Sequence, residues 1–490
     1  MRKLVKATSL LTLVNVSEMA TRFVRTKCIA LFLGVAGSGL FAQLAIFFEL
    51  TRAWCSLGTR RAVIRQIGEN RKEGAGNERY REVIQTSFSL ELVSACVIAS
   101  LATVFSKTIS QKLFADPAYY PYVIAFSWIL PFASLVTLFG TILKANMEYK
   151  LYTAYTMGAH LVIILAVPFA IYRFGYWGAA SAQWFFFAVP LAAYVILHFR
   201  KPFLFFSRRV NFGMLKELVV DGTNVLYQTT VGNVIKLFLT SLVIMRLGLD
   251  SMGIYQVVLT FTTVYLTIPI QAISGYTMPV IAAAADNREI NKAVNDSLRF
   301  LCYVLMPVIA GLILWPAFFI EVFYSREFFA AVPILRLQLL GTVFDIANHA
   351  LGSSVAAKGK YRALYVIGTV HSVFYFGLSW LFFLRWELPG LAFGFAIANI
   401  LVTAMLFYLN RKYFSFTLSR ENFGLFLSLG LWLGLAFFVA MSHDGFIVKA
   451  AVTALGIPWA YFNLTPRERD FLFTRARALV SGRRSGGDSA

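Results

Sequence analysis

The chain of 490 residues is 58% hydrophobic and only 14% charged, and its mean hydropathy is +0.68. Ordinary globular domains are about 45 to 50% apolar and about 25% charged, so this composition excludes a soluble domain and indicates a multispanning membrane protein. The net charge of +21 would suggest nucleic-acid binding in a soluble protein. In a membrane protein the preference for Lys and Arg in cytoplasmic loops accounts for such a charge, and we expect no nucleic-acid partner.

Runs of about 20 apolar residues, the length that crosses a bilayer as an α-helix, predict an all-α chain with about fourteen transmembrane helices. The predicted spans are 8–33, 38–58, 83–105, 119–142, 151–172, 177–199, 217–247, 251–282, 299–322, 329–356, 362–384, 389–409, 422–441 and 446–463. The longest connecting segment, 59–82, is charged and too short for a folded catalytic domain.

The first predicted helix carries charge in the middle of the membrane. At about 100° per residue, one stripe contains Thr8, Asn15, Glu18, Arg22 and Arg25. Each Arg at the bilayer centre costs about 2.5 to 3.5 kcal/mol on insertion scales, so we expect Arg22 and Arg25 to face a water-filled or substrate-filled interior. Lys27 lies on the opposite side. The alternative is that residues 22–27 form an extramembrane loop.

An internal repeat favours the membrane interpretation. The sequence LFLGVAGSGLF at 31–41 recurs as MRLGLDSMGIY at 245–255, so that Gly34 matches Gly248. Further matches follow in the same order: Pro121 with Pro333, Tyr149 with Tyr361 and Gly178 with Gly390. The difference between the two residue numbers of a matched pair is two smaller for these later pairs than for Gly34 and Gly248. A two-residue deletion in the second copy explains this change. Ordered matches over about 170 residues predict a duplicated unit of six helices. Because six is even, both copies enter the membrane from the same side and are related by an axis along its normal.

The repeat defines the predicted domains. We expect a six-helix lobe at 1–210, a second lobe at 211–415, an additional helix pair at 416–465 and a basic cytoplasmic tail at 466–490.

The repeat also places a second cation at mid-membrane. Arg22 corresponds to Lys236 in the seventh helix, which shares one face with Asp221, Asn224 and Gln228. Two equivalent helices that each present a cation on a polar stripe are expected to face each other across a cavity.

The second helix adds Glu49 and Arg52, which are spaced to pair, as are Glu18 and Arg22. These acids either neutralise their neighbours or take part in gating. The surplus of cations suits an anionic ligand such as a diphosphate, to which Arg gives bidentate contacts and Lys a point charge. The predicted substrate-binding residues are Arg22, Arg25, Lys236, Arg52, Glu18, Glu49, Asn224 and Gln228.

The distribution of basic residues predicts the orientation. Of the 45 Lys and Arg residues, 32 lie in segments that share the side of the N-terminus, seven lie on the opposite side and six lie within spans. Both termini are therefore predicted to be cytoplasmic.

The tenth predicted helix also carries titratable residues. Asp345 and His349 lie one turn apart on the tenth helix and are candidates for proton or sodium coupling, although such a His is more often hydrogen-bonded in a helix interface. The sequence has no phosphate loop, nucleophile elbow or clustered metal-ligand motif. We therefore expect no metal, no cofactor and no enzymatic activity.

The chain resembles the polysaccharide transporters of the multidrug/oligosaccharidyl-lipid/polysaccharide (MOP) flippase superfamily, especially the Wzx-type O-antigen flippases. The resemblance rests on the basic cytoplasmic loops and on four segments: Arg22 through LFLGVAGSGLF, SLGTRRAVIRQI at 56–67, LKANMEYK at 143–150 and AAKGKYRA at 356–363. It covers essentially the whole chain. The Arg-Asp pair associated with the end of helix 1 in the lipid II flippase is absent, because Thr26 follows Arg25.

The resemblance implies fourteen helices in two six-helix lobes plus a final pair. It also implies outward movement of undecaprenyl-diphosphate-linked oligosaccharide, an O-antigen or exopolysaccharide repeat unit, across the bacterial inner membrane by alternating access. Only the cationic positions of helices 1 and 7 carry over as site residues, and a polysaccharide polymerase or chain-length machinery is the expected partner. The alternatives are a multidrug cation antiporter of the same superfamily, a membrane glycan polymerase or ligase, and a non-transporting lipid scaffold.

Overall fold

The computed structural model describes residues 2–70, 77–205, 211–442, 445–465 and 468–469. Within these residues the chain is helical and has no β-strand, as the all-α prediction requires. The helices are α1 Arg2–Ser56, α2 Arg60–Glu69, α3 Glu78–Val104, α4 Ser106–Phe114, α5 Tyr120–Ser127, α6 Leu130–Ala145, α7 Tyr149–Arg200, α8 Phe212–Leu259, α9 Thr267–Ala283, α10 Asn287–Leu314, α11 Pro316–Phe323, α12 Val332–Ala357, α13 Tyr361–Phe414, α14 Arg420–Ser442, α15 Phe446–Ala454 and α16 Gly456–Asn463. Apart from residues 468 and 469, the predicted tail lies outside the described residues.

Ten helical stretches in the described residues are long and apolar enough to cross a membrane, so the chain is a multispanning membrane protein. Four of them, of 48, 52, 72 and 53 residues, are much longer than the roughly 20 residues that one crossing needs. Each of the four contains one residue with non-helical dihedral angles: Gly34, Gly175, Gly248 or Glu387. Division at these four residues would turn ten stretches into fourteen, but the count of fourteen remains a prediction.

The backbone repeats with the same offsets as the sequence. Gly34 and Gly248, which are matched in the repeat, both have positive φ. Met147 and Gly359, and likewise Gly175 and Glu387, are positive-φ pairs with the offset of the later matches. Helices α5 and α12 begin at 120 and 332, and α7 and α13 begin at 149 and 361. The interruptions that break the helices therefore recur with the duplicated sequence.

Helices α1 and α8 cross at a pair of repeat-related glycines. A Cβ atom added to Gly39 would overlap the carbonyl oxygen of Leu249, and one added to Gly253 would overlap the carbonyl oxygen of Val35. The repeat matches Gly39 with Gly253 and Val35 with Leu249, so the two contacts are equivalent. Only glycine allows this close approach of the two backbones.

The chain divides into two compact units. The first contains residues 1–259, 320–331 and 372–391, and the second contains residues 260–319, 332–371 and 392–490. Helices α1 to α8 thus belong to the first unit. The predicted boundaries of the two lobes and the helix pair remain predictions.

Two predicted segments differ locally from the structure. The charged connector at 59–82 contains α2, an amphipathic helix that buries Ala62, Val63 and Ile67. The span predicted at 299–322 ends early, because α10 stops at Leu314 and Pro316 begins α11. Proline lacks the backbone N–H that a helix interior requires and favours a helix start, which explains the break.

Candidate functional site

Glu49 on α1 interacts with each of the four cations that the sequence predicts as a site. Its carboxylate accepts a hydrogen bond of 2.6 Å from Arg52 and interacts electrostatically with Arg22, Arg25 and Lys236. Three predicted spans thus contribute charges to one cluster, the first two from α1 and the seventh from α8. The structure brings these five residues together within the first unit.

Arg22 and Glu18 form the predicted pair one turn apart on α1. The Arg22 guanidinium donates hydrogen bonds of 3.1 and 2.7 Å to one Glu18 oxygen. The Arg22 side chain is 53% exposed, so this pair leaves much of the guanidinium available to a ligand. An exposed pair of this kind contributes little to stability, about 0 to 1 kcal/mol.

Arg25 is held more firmly than Arg22. Its guanidinium donates a hydrogen bond to the Gln183 side chain on α7 and lies 5.1 Å from the centre of the Phe186 ring. Its Nε is buried and has no hydrogen-bond partner among the described residues. Arg25 and Gln183 line a small cavity of about 70 Å³ together with Ser38 and Gln256.

A larger cavity of about 260 Å³ lies between the end of α1, α2 and α8. Its lining includes Glu49, Arg52, Arg60, Arg61 and Thr229. Three guanidinium groups against one carboxylate give this cavity a positive character that favours an anion.

Sequence reasoning missed Arg60, Lys144 and Glu91. The distribution of basic residues places Arg60 and Lys144 in segments between spans, whereas both are partly buried here and interact electrostatically with each other. Burial lowers the pKa of the Arg60 guanidinium, an effect that Glu91 opposes. Glu91 lies inside the third predicted span and is fully buried. An acid within an apolar span was the signal that could have found it, because a membrane helix rarely carries a charge without a partner.

With these residues the cluster has a clear excess of positive charge. Its six cations are Arg22, Arg25, Arg52, Arg60, Lys144 and Lys236, and its three acids are Glu18, Glu49 and Glu91. The surplus of three positive charges is compatible with one multiply charged anion.

Lys27 has a different role from the other cations of α1. Its Nζ donates hydrogen bonds to the carbonyl oxygens of Glu321, at 2.7 Å, and Tyr324. These carbonyls lie at the end of α11, where helical carbonyl groups have no partner within the helix and attract a cation. These two hydrogen bonds explain why Lys27 lies opposite the polar stripe.

The polar residues of α8 lie nearer its start than Lys236. Gln228 donates a hydrogen bond of 3.1 Å to Asn224, and both side chains are at least partly exposed. Asp221, one turn earlier, accepts a hydrogen bond from Arg65 on α2. Among the described residues no hydrogen bond joins Asn224 or Gln228 to Glu49, so their place in the ligand site remains a prediction.

Two ion pairs join the start of α8 to α2 and α3, and a close backbone contact joins it to the residues just before α2. Arg65 pairs with Asp221, and Arg79 approaches Glu217 at 3.4 Å. Gln66 also donates a hydrogen bond of 2.5 Å to Glu217. We call the four charged residues, Arg65, Asp221, Arg79 and Glu217, the α8 latch. Next to the latch Gly58 and Gly222 touch so closely that a Cβ on either would overlap backbone atoms of the other segment.

The candidate ion-coupling residues belong to the second unit. Asp345 and His349 lie on α12, and both interact electrostatically with His371 on α13. His160 on α7 lies near the position that the repeat makes equivalent to His371, and it forms a 2.7 Å hydrogen bond with Ser17 on α1. The role of Asp345 and His349 in ion coupling remains a prediction.

Comparison with known proteins identifies similar chains. A family model described as polysaccharide biosynthesis protein matches residues 28–333. The lipid III flippase of Escherichia coli (strain K12) is 22% identical over 347 residues, which cover 70% of this chain and 82% of the relative.

Two solved structures share the fold. An inward-facing multidrug resistance MATE family transporter of the MOP superfamily superposes with a TM-score of 0.70 at 18% identity, covering 81% of this chain and 94% of that one. The lipid II flippase MurJ in an inward closed conformation gives a TM-score of 0.66 at 16% identity, covering 94% of this chain and all of that one.

Proposed function

The chain belongs to the polysaccharide biosynthesis protein family, and from this membership we propose that it is a flippase that carries lipid-linked oligosaccharide across the membrane. The relatives named as lipid III and lipid II flippases support this substrate class, and they confirm the resemblance drawn from the sequence motifs. The observation that carries the proposal is the cluster around Glu49, in which cations from α1 and α8 meet.

The proposed ligand of this cluster is the diphosphate that joins the lipid to the glycan. Arg22 and Arg52 present planar guanidinium groups that can each make two hydrogen bonds to a phosphate, whereas Lys236 adds a compact charge. Contacts of this kind replace the water that a diphosphate loses when it leaves the aqueous phase. The lipid tail stays in the bilayer, and the protein exposes the site to one side of the membrane and then to the other.

The proposed direction is outward across the bacterial inner membrane, with both termini in the cytoplasm. A membrane potential that is negative inside favours outward movement of an anion by about 2.3 kcal/mol per charge per 100 mV. Two uncompensated charges would therefore gain about 4.6 kcal/mol. We propose an O-antigen or exopolysaccharide repeat unit as the glycan, and a polymerase or chain-length machinery as the partner on the outer side.

Multidrug cation export is the second candidate, supported by the fold shared with a MATE transporter. The charge of the site argues against it, because a cavity for organic cations needs acids where this chain has Arg22, Arg25 and Lys236. A glycan polymerase or ligase is less favoured still, since the two relatives of this chain named above as flippases are not enzymes of that kind.

The test is export of lipid-linked glycan in cells that depend on this protein. We expect Arg22→Ala combined with Lys236→Ala to abolish export and to cause lipid-linked precursor to accumulate at the cytoplasmic face. Lys112→Ala, which removes an exposed cation of α4, is the matched control and should export normally. Unchanged export by the double variant, at equal membrane abundance, contradicts the proposed site. A broad rise in drug resistance on overexpression, with no glycan phenotype, would favour the antiporter.

A further inference from the structure

Glu91 is a charged group that the proposed diphosphate contacts do not use. It lies on α3 and none of its surface is exposed. Within the described part of the chain neither of its carboxylate oxygens has a hydrogen-bond partner. An ionised carboxylate in this position lacks both water and donors, and burial of such a charge is strongly unfavourable. The neutral, protonated form avoids most of this cost.

The charged and titratable groups that act on Glu91 come from two helices. Arg52 and Cys55 lie on α1, and Arg60 lies on α2. The Arg60 guanidinium also lacks hydrogen bonds, because its Nε and one terminal nitrogen are buried without a partner among the described residues. Glu91 and Arg60 thus attract each other without a hydrogen bond between them.

Uncharged polar residues lie on α3 itself and on the neighbouring helix α6. Ser87, one turn earlier on α3, has a buried hydroxyl without a hydrogen-bond partner in the described chain. Ser134 on α6 interacts with the Cys55 thiol. Lys144, also on α6, acts on Arg60 and not on Glu91. Arg52 and Arg60 are therefore the cations that act on the Glu91 carboxylate.

The same two arginines connect Glu91 to the cavity. Arg52 and Arg60 line the cavity of about 260 Å³ and are the cations that stabilise a negative charge on Glu91. An anion bound in the cavity neutralises part of their charge. The carboxylate of Glu91 then loses its electrostatic support while it remains fully buried.

We propose that Glu91 is a proton-binding site and that it takes up a proton when an anion binds to Arg52 and Arg60. This inference rests on the proposed function. In the uptake step one carboxylate oxygen forms an O–H bond with a proton from hydronium, which leaves as water, and anion release reverses the step. By linkage, the proton and the anion each strengthen the binding of the other. One proton per cycle would cancel one negative charge of a diphosphate during its passage.

The first experiment tests the proton site without any anion. Infrared difference spectroscopy of the purified full-length protein, titrated from acid to alkaline pH, should show a carboxylic C=O band that Glu91→Gln lacks. Glu78→Gln, which removes an exposed carboxyl at the start of the same helix, should retain the band. Arg60→Gln should make the band persist to higher pH, because the carboxylate loses a stabilising cation. An unchanged band in Glu91→Gln overturns the proposal.

The second experiment tests the linkage with inorganic pyrophosphate as the probe. Calorimetry measures the binding of pyrophosphate, and a pH indicator in weak buffer measures the number of protons that the protein takes up from solution. Wild-type protein should take up about one more proton per bound pyrophosphate than Glu91→Gln does, while Glu78→Gln matches the wild type. Equal proton uptake in all three overturns the inference and leaves the proposed function intact.

The two experiments separate failure of the proposed function from failure of the inference. If pyrophosphate does not bind, the anion site of the proposed function fails, and the infrared band still decides whether Glu91 binds a proton. If sodium added at constant pH removes the band and added acid restores it, the site binds sodium and the proposal is wrong. Should Glu91→Gln not fold, Glu91→Asp must show the band at a shifted frequency.

Discussion

Two cations that lie close together on α1 illustrate how position decides role. Arg25 reaches Gln183 and Phe186 and lines a cavity, whereas Lys27 donates to carbonyl groups at the end of α11. Both are basic residues in one apolar span, and the face on which each lies separates a proposed ligand-binding position from a residue that caps a helix.

We expect Arg25→Lys to lower glycan export about tenfold or more. Lysine keeps the charge but lacks the guanidinium that donates to Gln183 and lies over the Phe186 ring, and a charge-assisted hydrogen bond contributes about 1.5 to 3 kcal/mol. Export per folded molecule is the measurement. Lys27→Met is the control, because it should lower thermal stability without changing export per folded molecule. Wild-type export by Arg25→Lys would contradict a role for guanidinium geometry.

The pair of Arg299 and Glu468 joins the residues that follow α16 to α10. Arg299 on α10 is nearly buried, donates two hydrogen bonds of 2.9 Å to Glu468 and one of 2.5 Å to the carbonyl oxygen of Asn463. Burial raises the pKa of Glu468, but the hydrogen bonds from Arg299 and Thr465 outweigh it and hold that pKa below its usual value.

This lowered pKa predicts a pH dependence of tail protection. Because Glu468 is more acidic in the folded state, its contribution to stability is complete above its unfolded pKa and is lost as the pH falls through the folded value. We expect protease cleavage after residue 465 to be slow at pH 7 and to accelerate below about pH 4. Glu468→Gln should be cleaved faster at pH 7 and should show no acceleration in acid. A cleavage rate that is equal in both proteins at pH 7 would argue against this anchor.

At the scale of helices, the crossing of α1 and α8 depends on two glycines. Gly39 and Gly253 lie against backbone carbonyl groups of the opposite helix, so any side chain must push the helices apart. The repeat explains why the two contacts are equivalent, since each glycine and each carbonyl has its counterpart in the other copy. This crossing holds together the helices that carry Glu49 and Lys236, which interact electrostatically.

We expect Gly39→Ala to lower the thermal unfolding temperature in detergent by several degrees. A methyl group overlapping a carbonyl oxygen forces the helices apart, and overpacking of this kind costs about 1 to 3 kcal/mol. The matched control is Gly158→Ala in α7, where an added Cβ meets no atom within 4 Å. That change should be neutral or stabilising by up to about 1 kcal/mol, because alanine favours helix more than glycine does. Equal unfolding temperatures for the two variants would show that the crossing tolerates expansion.

At the scale of the whole molecule, alternating access requires a contact that opens on one side of the membrane. The α8 latch and the contact of Gly58 with Gly222 lie beside the cavity lined by Arg52, Arg60 and Thr229. In the predicted orientation this is the cytoplasmic side. Exposed ion pairs contribute only about 0.2 to 1 kcal/mol each, which suits a contact that must break in every cycle.

We expect Arg65→Asp to increase labelling of a Thr229→Cys variant by a membrane-impermeant thiol reagent about two- to fivefold. Loss of one ion pair of up to about 1 kcal/mol shifts an open-closed equilibrium by that factor. The measurement uses inside-out vesicles and a background in which the four native cysteines are replaced. Adding Asp221→Arg to Arg65→Asp should restore the low labelling, because the pair is re-formed with its charges exchanged. Failure of this restoration would show that the two residues do not act as a pair.

The sequence by itself determined the class of the protein, its helical repeat and the spans that carry charge. Hydropathy and periodicity are local properties, and the cost of placing Arg22 or Lys236 in lipid does not depend on the rest of the fold. The backbone interruptions seen in the structure follow the offsets of that repeat, and Glu387 lies at the position equivalent to Gly175.

Only the tertiary structure decided which charges meet. Glu91 and Arg60 are far apart in the chain and are joined by the packing of α2 and α3, which no periodicity within one helix encodes. Lys27 likewise donates a hydrogen bond to a carbonyl group of α11, which lies in a distant part of the chain. Electrostatic partnership depends on distance in space, and for residues on different helices that distance is set by how the helices pack and not by the spacing of residues along the chain.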